Sequence, residues 1–232
     1  MSGKIYLIPV TLGGDDYNDV IPPKAISITR GIRYFVVEEI RSARRYLRLI
    51  DKAFPIEEAH FEVLNEHTGS TDISHFLKPC SEGFDLGLMS EAGLPGIADP
   101  GARLIRIAHR IGIKVIPLSG PSSIIMALTS SGLNGQNFTF NGYLPVKQAE
   151  RESKLKELER KTHDGSSQIF IETPYRNQKM LESILEICNK ECMLCIAADI
   201  SLPSESVQTK SISDWRKQIP DLKNRLVVFI LQ

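Results

Sequence analysis

Twelve residues from Ser90 to Gly101 hold two carboxylates, Glu91 and Asp99, among glycines, prolines and almost no large side chains. A second small-residue stretch, Ser119-Gly120-Pro121-Ser122-Ser123, follows less than twenty positions later. Small residues leave backbone N–H and C=O groups open to a bound molecule, and the nearby acids can take up a proton. A single glycine loop is ordinarily a tight turn, but two on one edge of a sheet, with Glu91, Asp99 and four serines among them, point to a ligand site. Another acidic pair, Glu38-Glu39, ends the apolar run Tyr34 to Val37. Carboxylates at a strand's carboxyl end can accept a proton from a substrate hydroxyl if geometry brings them within reach, although Glu39 can equally serve the start of a helix electrostatically.

The elements around these stretches alternate between strand and helix. The apolar run Phe84 to Met89 leads into the first loop, and Asp99 with Pro100 reads as an N-cap followed by proline at the first helical position. Leu104, Ile105, Ile107, Ala108 and Ile111 follow at helical spacing, and Gly112 marks the stop. The strand Lys114 to Leu118 then enters the second loop, which opens another helix. Strand, loop, helix, strand, loop, helix predicts parallel strands joined by crossovers, and ligands of such sheets bind beyond the carboxyl ends of the strands. Upstream, the spacing predicts a strand over Lys4 to Val10 with a glycine turn after it, a helix over Pro22 to Gly31, the strand Tyr34 to Val37, a helix over Arg41 to Lys52 and a weak strand at Phe61 to Leu64. Downstream it predicts strands at Phe138 to Tyr143, Gln168 to Ile171, Met193 to Asp199 and Arg225 to Leu231, the last central, with helices over Gln148 to Lys161 and Asn177 to Asn189. The fold class expected is α/β, with a parallel-sheet domain over residues 1–118 and a mixed-sheet domain over 119–232.

Composition narrows the function classes. The chain of 232 residues has 28 Lys plus Arg against 28 Asp plus Glu, so no global field attracts nucleic acid. A local basic face is still possible where Arg41, Arg44, Arg45 and Arg48 crowd one segment. No apolar run is long enough for a membrane span, and the start is broken too soon by Pro9 for a secretion signal, so the protein is expected in the cytoplasm and off the membrane. The four cysteines are too few and too bunched for a disulfide framework, and Cys192-x-x-Cys195 has no second pair or nearby histidine. Core cysteines and no metal are expected.

The run Ser90-Glu91-Ala92-Gly93-Leu94-Pro95-Gly96-Ile97-Ala98-Asp99-Pro100-Gly101, with the Pro-Leu-x-Gly-Pro-Ser match at Pro117 to Ser122, resembles the tetrapyrrole methylase superfamily of S-adenosylmethionine-dependent methyltransferases. Within it the chain is most similar to the ribosomal RNA small-subunit methyltransferase I family, which reads Ser-Asp-Ala-Gly-Thr-Pro-Gly-Ile-Ser-Asp-Pro-Gly there. Further matches are Glu38, Glu39 and Arg41 against Ala-Glu-Asp-Thr-Arg, Glu66 and His67 against His-Glu-His, and Glu172 to Arg176 against Glu-Ser-Pro-His-Arg. The likeness thins before Glu38 and after Asp199, where Arg-Glu-Leu-Thr-Lys gives way to Asp199-Ile200-Ser201-Leu202-Pro203, and the chain is expected to lack the family's C-terminal extension.

The resemblance implies two α/β domains with S-adenosylmethionine in the cleft between them. It implies Ser90, Glu91, Ala92, Gly93, Gly96 and Ile97 as one wall of the cofactor site, Ser122 and Ser123 as a second, and Thr173 as a contact from the other domain, with Leu12 and Gly13 in weaker register. It implies Glu38, Glu39 and Glu66 as candidates for the chemistry, Arg41 and His67 for substrate contact, and a homodimer. Asp99 is expected to cap its helix and support the loop, and a bulky residue at Gly96 to abolish cofactor binding with the fold intact. The expected activity is methyl transfer to ribosomal RNA at a ribose 2'-hydroxyl. The alternatives are a small-molecule, tetrapyrrole-type methyltransferase and a cofactor-binding protein without turnover.

Overall fold

The computed structural model describes residues 2–68 and 73–232. The described chain divides into two compact units, one through Ser122 and the other from Ser123 to Gln232. In the first, chain order runs β1 (Ile5–Leu7), α1 (Pro23–Gly31), β2 (Tyr34–Val37), α2 (Ile40–Ile50), β3 (His60–Val63), α3 (Lys78–Ser81), β4 (Leu86–Met89), α4 (Gly101–Arg110) and β5 (Val115–Pro117). The five strands form one all-parallel sheet in the order β3-β2-β4-β1-β5.

Alternation along the strands supplies a core on each side of this sheet, as a buried parallel sheet requires. Phe35 and Val37 of β2 point to the side covered by α1 and α2, where they join Ala25, Ile26, Tyr46, Leu47 and Ile50. Val36, Leu86 and Leu88 point to the opposite side, covered by Leu104 and Ala108 of α4 with Phe76, Leu77 and Cys80. Gly87 in mid-β4 is required there, because a Cβ would come within 2.5 Å of Ile8 and 2.9 Å of Phe35.

The second unit runs α5 (Ser123–Ser131), β6 (Phe138–Tyr143), α6 (Gln148–Thr162), β7 (Ser167–Ile171), α7 (Asn177–Ile187), β8 (Met193–Ala198), β9 (Ser206–Ser211), α8 (Ile212–Lys217) and β10 (Val227–Leu231). Its sheet is ordered β6-β7-β10-β8-β9 and is mixed, with β6 parallel to β7 and the remaining pairs antiparallel. β10 is central and buried at every position, as its unbroken apolar run predicts. The helices α6, α7 and α8 cover one face through Leu155, Leu158, Leu181, Ile184 and Trp215. The charged helix α6 is less exposed than its composition predicts, since Arg151 is buried and donates to Ser183 Oγ and the Val146 carbonyl. Cys80, Cys188 and Cys195 are buried, Cys192 half-buried, and all four are free. No helix among the described residues is long and apolar enough to cross a membrane.

Candidate active site

The connections leaving β1 and β4, neighbours in the first sheet, go to opposite faces: β1 leads to α1 on one side and β4 to α4 on the other. Such a divergence opens a crevice at the strands' carboxyl ends. The loops after β1, β2, β4 and β5 all meet along this edge, and the two glycine-rich stretches are among them.

Pro9 and Val10, just after β1, tie these loops together. The Val10 N–H donates to the Gly93 carbonyl at 2.9 Å, an isolated bridge between the first and fourth loops. The Tyr46 hydroxyl, reaching from α2, donates to the Pro9 carbonyl at 2.8 Å. Gly120 lies so close to Pro9 that a Cβ would fall 2.1 Å from the proline Cβ, and a Cβ on Gly93 would sit 3.2 Å from Leu12 and 3.3 Å from the Pro121 carbonyl oxygen. The Gly93 and Gly120 turns therefore pack together with the β1 loop wedged beside them, and only glycine permits the approach.

Asp99 shapes the longer loop. Its carboxylate accepts from the N–H groups of Gly96 and Gly101, each at 2.6 Å. The helix begins at Gly101 with Pro100 in the cap position, a residue later than the sequence pattern implies, yet Asp99 still satisfies one of the helix's orphan donors. Burial pushes the Asp99 carboxyl up against these hydrogen bonds. Gly93, Gly96 and Ala98 have φ of 69°, 88° and 60°, so the loop is wound through left-handed conformations. A side chain at Gly96 is strained by φ and meets the Ile105 Cδ1 at 3.0 Å, so a bulky variant there distorts the loop locally.

Glu38 sits at the centre of the acidic residues. It is half-buried at the end of β2, and its carboxylate accepts from the Glu91 N–H at 3.2 Å. Burial, opposed by that hydrogen bond but reinforced by the negative charges of Asp99, Glu91 and Glu66, pushes its carboxyl up to about 7. Such a group can hold or release a proton near neutrality. Glu39 differs: it is exposed, its oxygens accept from the N–H groups of Arg41 and Ser42 at 2.8 and 2.6 Å, and these bonds hold its carboxyl below the ordinary value. It is the N-cap of α2.

The remaining sequence candidates fall at several depths. Leu12 is buried against Gly93, while Gly13, Glu91, Ala92 and Ile97 are exposed at the crevice and the Ser90 hydroxyl donates to the Ala92 carbonyl. Glu66 and His67 occupy an exposed turn after β3 and approach each other at 3.7 Å, and Arg41 projects into solvent from α2. Ser122 is buried at the end of the first unit and Ser123 begins α5 in the second. Thr173, also in the second unit, follows β7, where its hydroxyl meets Glu172 and Arg176, and Glu172 is paired with Arg176 at 2.6 Å.

Sequence reasoning singled out only the arginines of α2 and missed Ser42, Tyr46 and Leu49. A cavity of about 80 Å³ lies between the β1 loop (Val10 to Asp15), the start of the β4 loop (Met89 to Glu91) and α2, which contributes Ser42, Arg45, Tyr46 and Leu49. A tyrosine on the apolar stripe of a helix needs a partner for its hydroxyl, and that was the available signal. Small and glycine residues front the crevice, Gly13 and Ala92 are exposed there, and the carboxylates of Glu91 and Asp15 line the cavity, acceptors that suit a cationic ligand.

No family model matches the chain. Curated relatives match along almost all of it. The ribosomal RNA small subunit methyltransferase I of Pseudomonas aeruginosa is 28% identical over 217 residues, covering 92% of this chain and 73% of the relative. Its namesake from Vibrio cholerae is 28% identical, covering 95% and 73%, and that from Xylella fastidiosa 29% identical, covering 96% and 78%. The chain is a relative of these methyltransferases. A crystal structure of the methyltransferase CobJ aligns with a TM-score of 0.64 and 17% identity over 99% of this chain and 94% of that one, which shows a shared fold. The resemblance carried by Ser90 to Ser122 holds: the fold is tetrapyrrole methylase-like and the protein is a methyltransferase.

Proposed function

We propose that this methyltransferase uses S-adenosylmethionine to methylate RNA of the small ribosomal subunit at a ribose 2'-hydroxyl, with Glu38 as general base. The observation that carries the reading is Glu38 itself, a half-buried carboxyl pushed up to about 7 beside the loops that the resemblance assigns to the cofactor. When bound, the cofactor supplies an electrophilic methyl group on a sulfonium. The chain's own residues do the rest. The backbone of Gly13 and of Ser90 to Gly93 offers polar groups to the ligand, Asp99 fixes the β4 loop further along at Gly96 and Tyr46 fixes the β1 loop at Pro9, and Glu38 takes the hydroxyl proton as the acceptor oxygen forms its bond to carbon. The acceptor must be held within about 3–3.5 Å of its target for this to be effective. Glu39, Arg41 and His67 lie outside this constellation, Glu66 bears on it through its charge on Glu38, and Arg41 is retained as a substrate contact. The same resemblance supports a cytoplasmic homodimer.

The test is transfer of labelled methyl groups to small ribosomal subunits from a strain lacking the protein, followed by mapping of the label. Label at a single ribose oxygen is expected. Label on a base, or none on RNA, contradicts the assignment.

A further inference from the structure

Arg41, Arg44, Arg45 and Arg48 follow the i, i+3, i+4, i+7 spacing that places them on one face of α2, opposite the buried Ala43, Tyr46, Leu47 and Ile50. All four arginines are exposed. Arg44 approaches Glu57 at 3.4 Å and Arg48 donates to the Lys52 carbonyl, whereas Arg45 has no ion pair among the described residues. The stripe runs for about 10 Å along the helix, and Arg45 stands at the lip of the cavity between α2 and the loops after β1 and β4.

We propose that the arginine face of α2 is the track for the RNA backbone, and that it presents one ribose at the α2 side of this cavity, beside the loops assigned to the cofactor. The proposal rests on the RNA reading above and assigns it a surface. A chain with 28 basic and 28 acidic residues has no overall attraction for RNA, so a phosphate contact must be local. Guanidinium groups are suited to phosphate, which they bind through two parallel donors. The lining of the cavity is mixed: Val10, Tyr46, Leu49 and Met89 are apolar, and Thr11, Ser42 and Ser90 carry hydroxyls that a sugar can meet. Asp15 and Glu91, exposed on the loops that line the cavity, repel phosphate there, which leaves the phosphates on the helix. Glu91 also connects the cavity to Glu38, since its N–H donates to that carboxylate.

The experiment compares wild type with a variant carrying Arg41→Gln, Arg45→Gln and Arg48→Gln, and with a control carrying Lys156→Gln and Arg160→Gln on α6. A transcript of small-subunit ribosomal RNA is titrated at several salt concentrations, S-adenosylmethionine affinity is measured by calorimetry, and folding by circular dichroism. The triple variant is expected to keep its fold and cofactor affinity, to bind RNA at least ~10-fold more weakly at low salt, and to lose about 0.7 of log–log salt slope per arginine removed. Lysine at the three positions should restore the slope. A triple variant that matches wild type or the control in RNA affinity and slope overturns the inference while leaving the activity standing. A wild-type protein that transfers no label to RNA overturns the RNA reading, and this inference with it.

Discussion

Glu38 and Glu39 leave the same strand, yet burial among other acids pushes one carboxyl up to about 7 while two backbone donors hold the other low. The consequences for stability are opposite in kind. A carboxyl whose folded pKa lies above its ordinary 4.5 disfavours the folded state once it ionises. Stability is thus lost as pH rises from about 4.5 through about 7, and Glu38→Gln, which cannot ionise, should gain stability over wild type between pH 5 and 8 in thermal melts. An unchanged difference across that range would contradict the burial argument. Glu39→Ala removes the cap of α2 and should lower the unfolding midpoint without changing the pH dependence of activity. Tyr46→Phe deletes the donor to the Pro9 carbonyl and should cost about 1 kcal/mol, with weaker cofactor binding measured by calorimetry because the β1 loop loses its tether. Individual roles were only partly legible from sequence. Two adjacent acids look alike as letters, and what separates them is whether Glu91 or the first turn of α2 supplies the donors.

The loops on the first sheet's carboxyl edge work as one object because each is held by another. Gly120→Ala places a Cβ 2.1 Å from Pro9 and must displace the β1 or the β5 loop. We expect a loss of roughly 1–3 kcal/mol and of cofactor affinity together, read by denaturant unfolding and calorimetry, whereas Gly112→Ala in α4's terminal turn, with open space around it, should leave cofactor affinity unchanged. The strands, helices and glycine loops of this unit were legible because helical and strand periods are sharply expressed from Leu86 to Pro117, and the cap residue was misplaced only by one position. β9 and α8 were not foreseen. Ser206 to Ser211 is a polar edge strand with only Val207 apolar, so it carries no alternating signal, and α8 is six residues long.

Each unit has its own core, and the second also has a buried polar clasp at Asp199. Asp199, with φ of 53°, accepts from Arg225 at 2.7 Å, from the Leu226 N–H and from Ser204. Burial pushes its carboxyl up, but these three partners outweigh it and hold it below the ordinary value. Stability from this clasp is present above about pH 4 and is lost as pH falls further. Asp199→Ala should cost about 2–3 kcal/mol in denaturant unfolding by stranding Arg225 and the Leu226 N–H. The two α/β units and the central place of β10 were readable from apolar runs, while the clasp was not, because its partners are separated by 26 positions. At the scale of the molecule the claim that matters is that a carboxyl poised near neutrality takes a proton from an RNA hydroxyl. The most direct test is the single-turnover rate of methyl transfer to small ribosomal subunits between pH 5.5 and 8.5, for wild type and Glu38→Gln. The account predicts a wild-type rate that climbs with a midpoint near 7 and a variant slowed roughly 100-fold with a flat profile; a variant that keeps the wild-type rate and midpoint would contradict it.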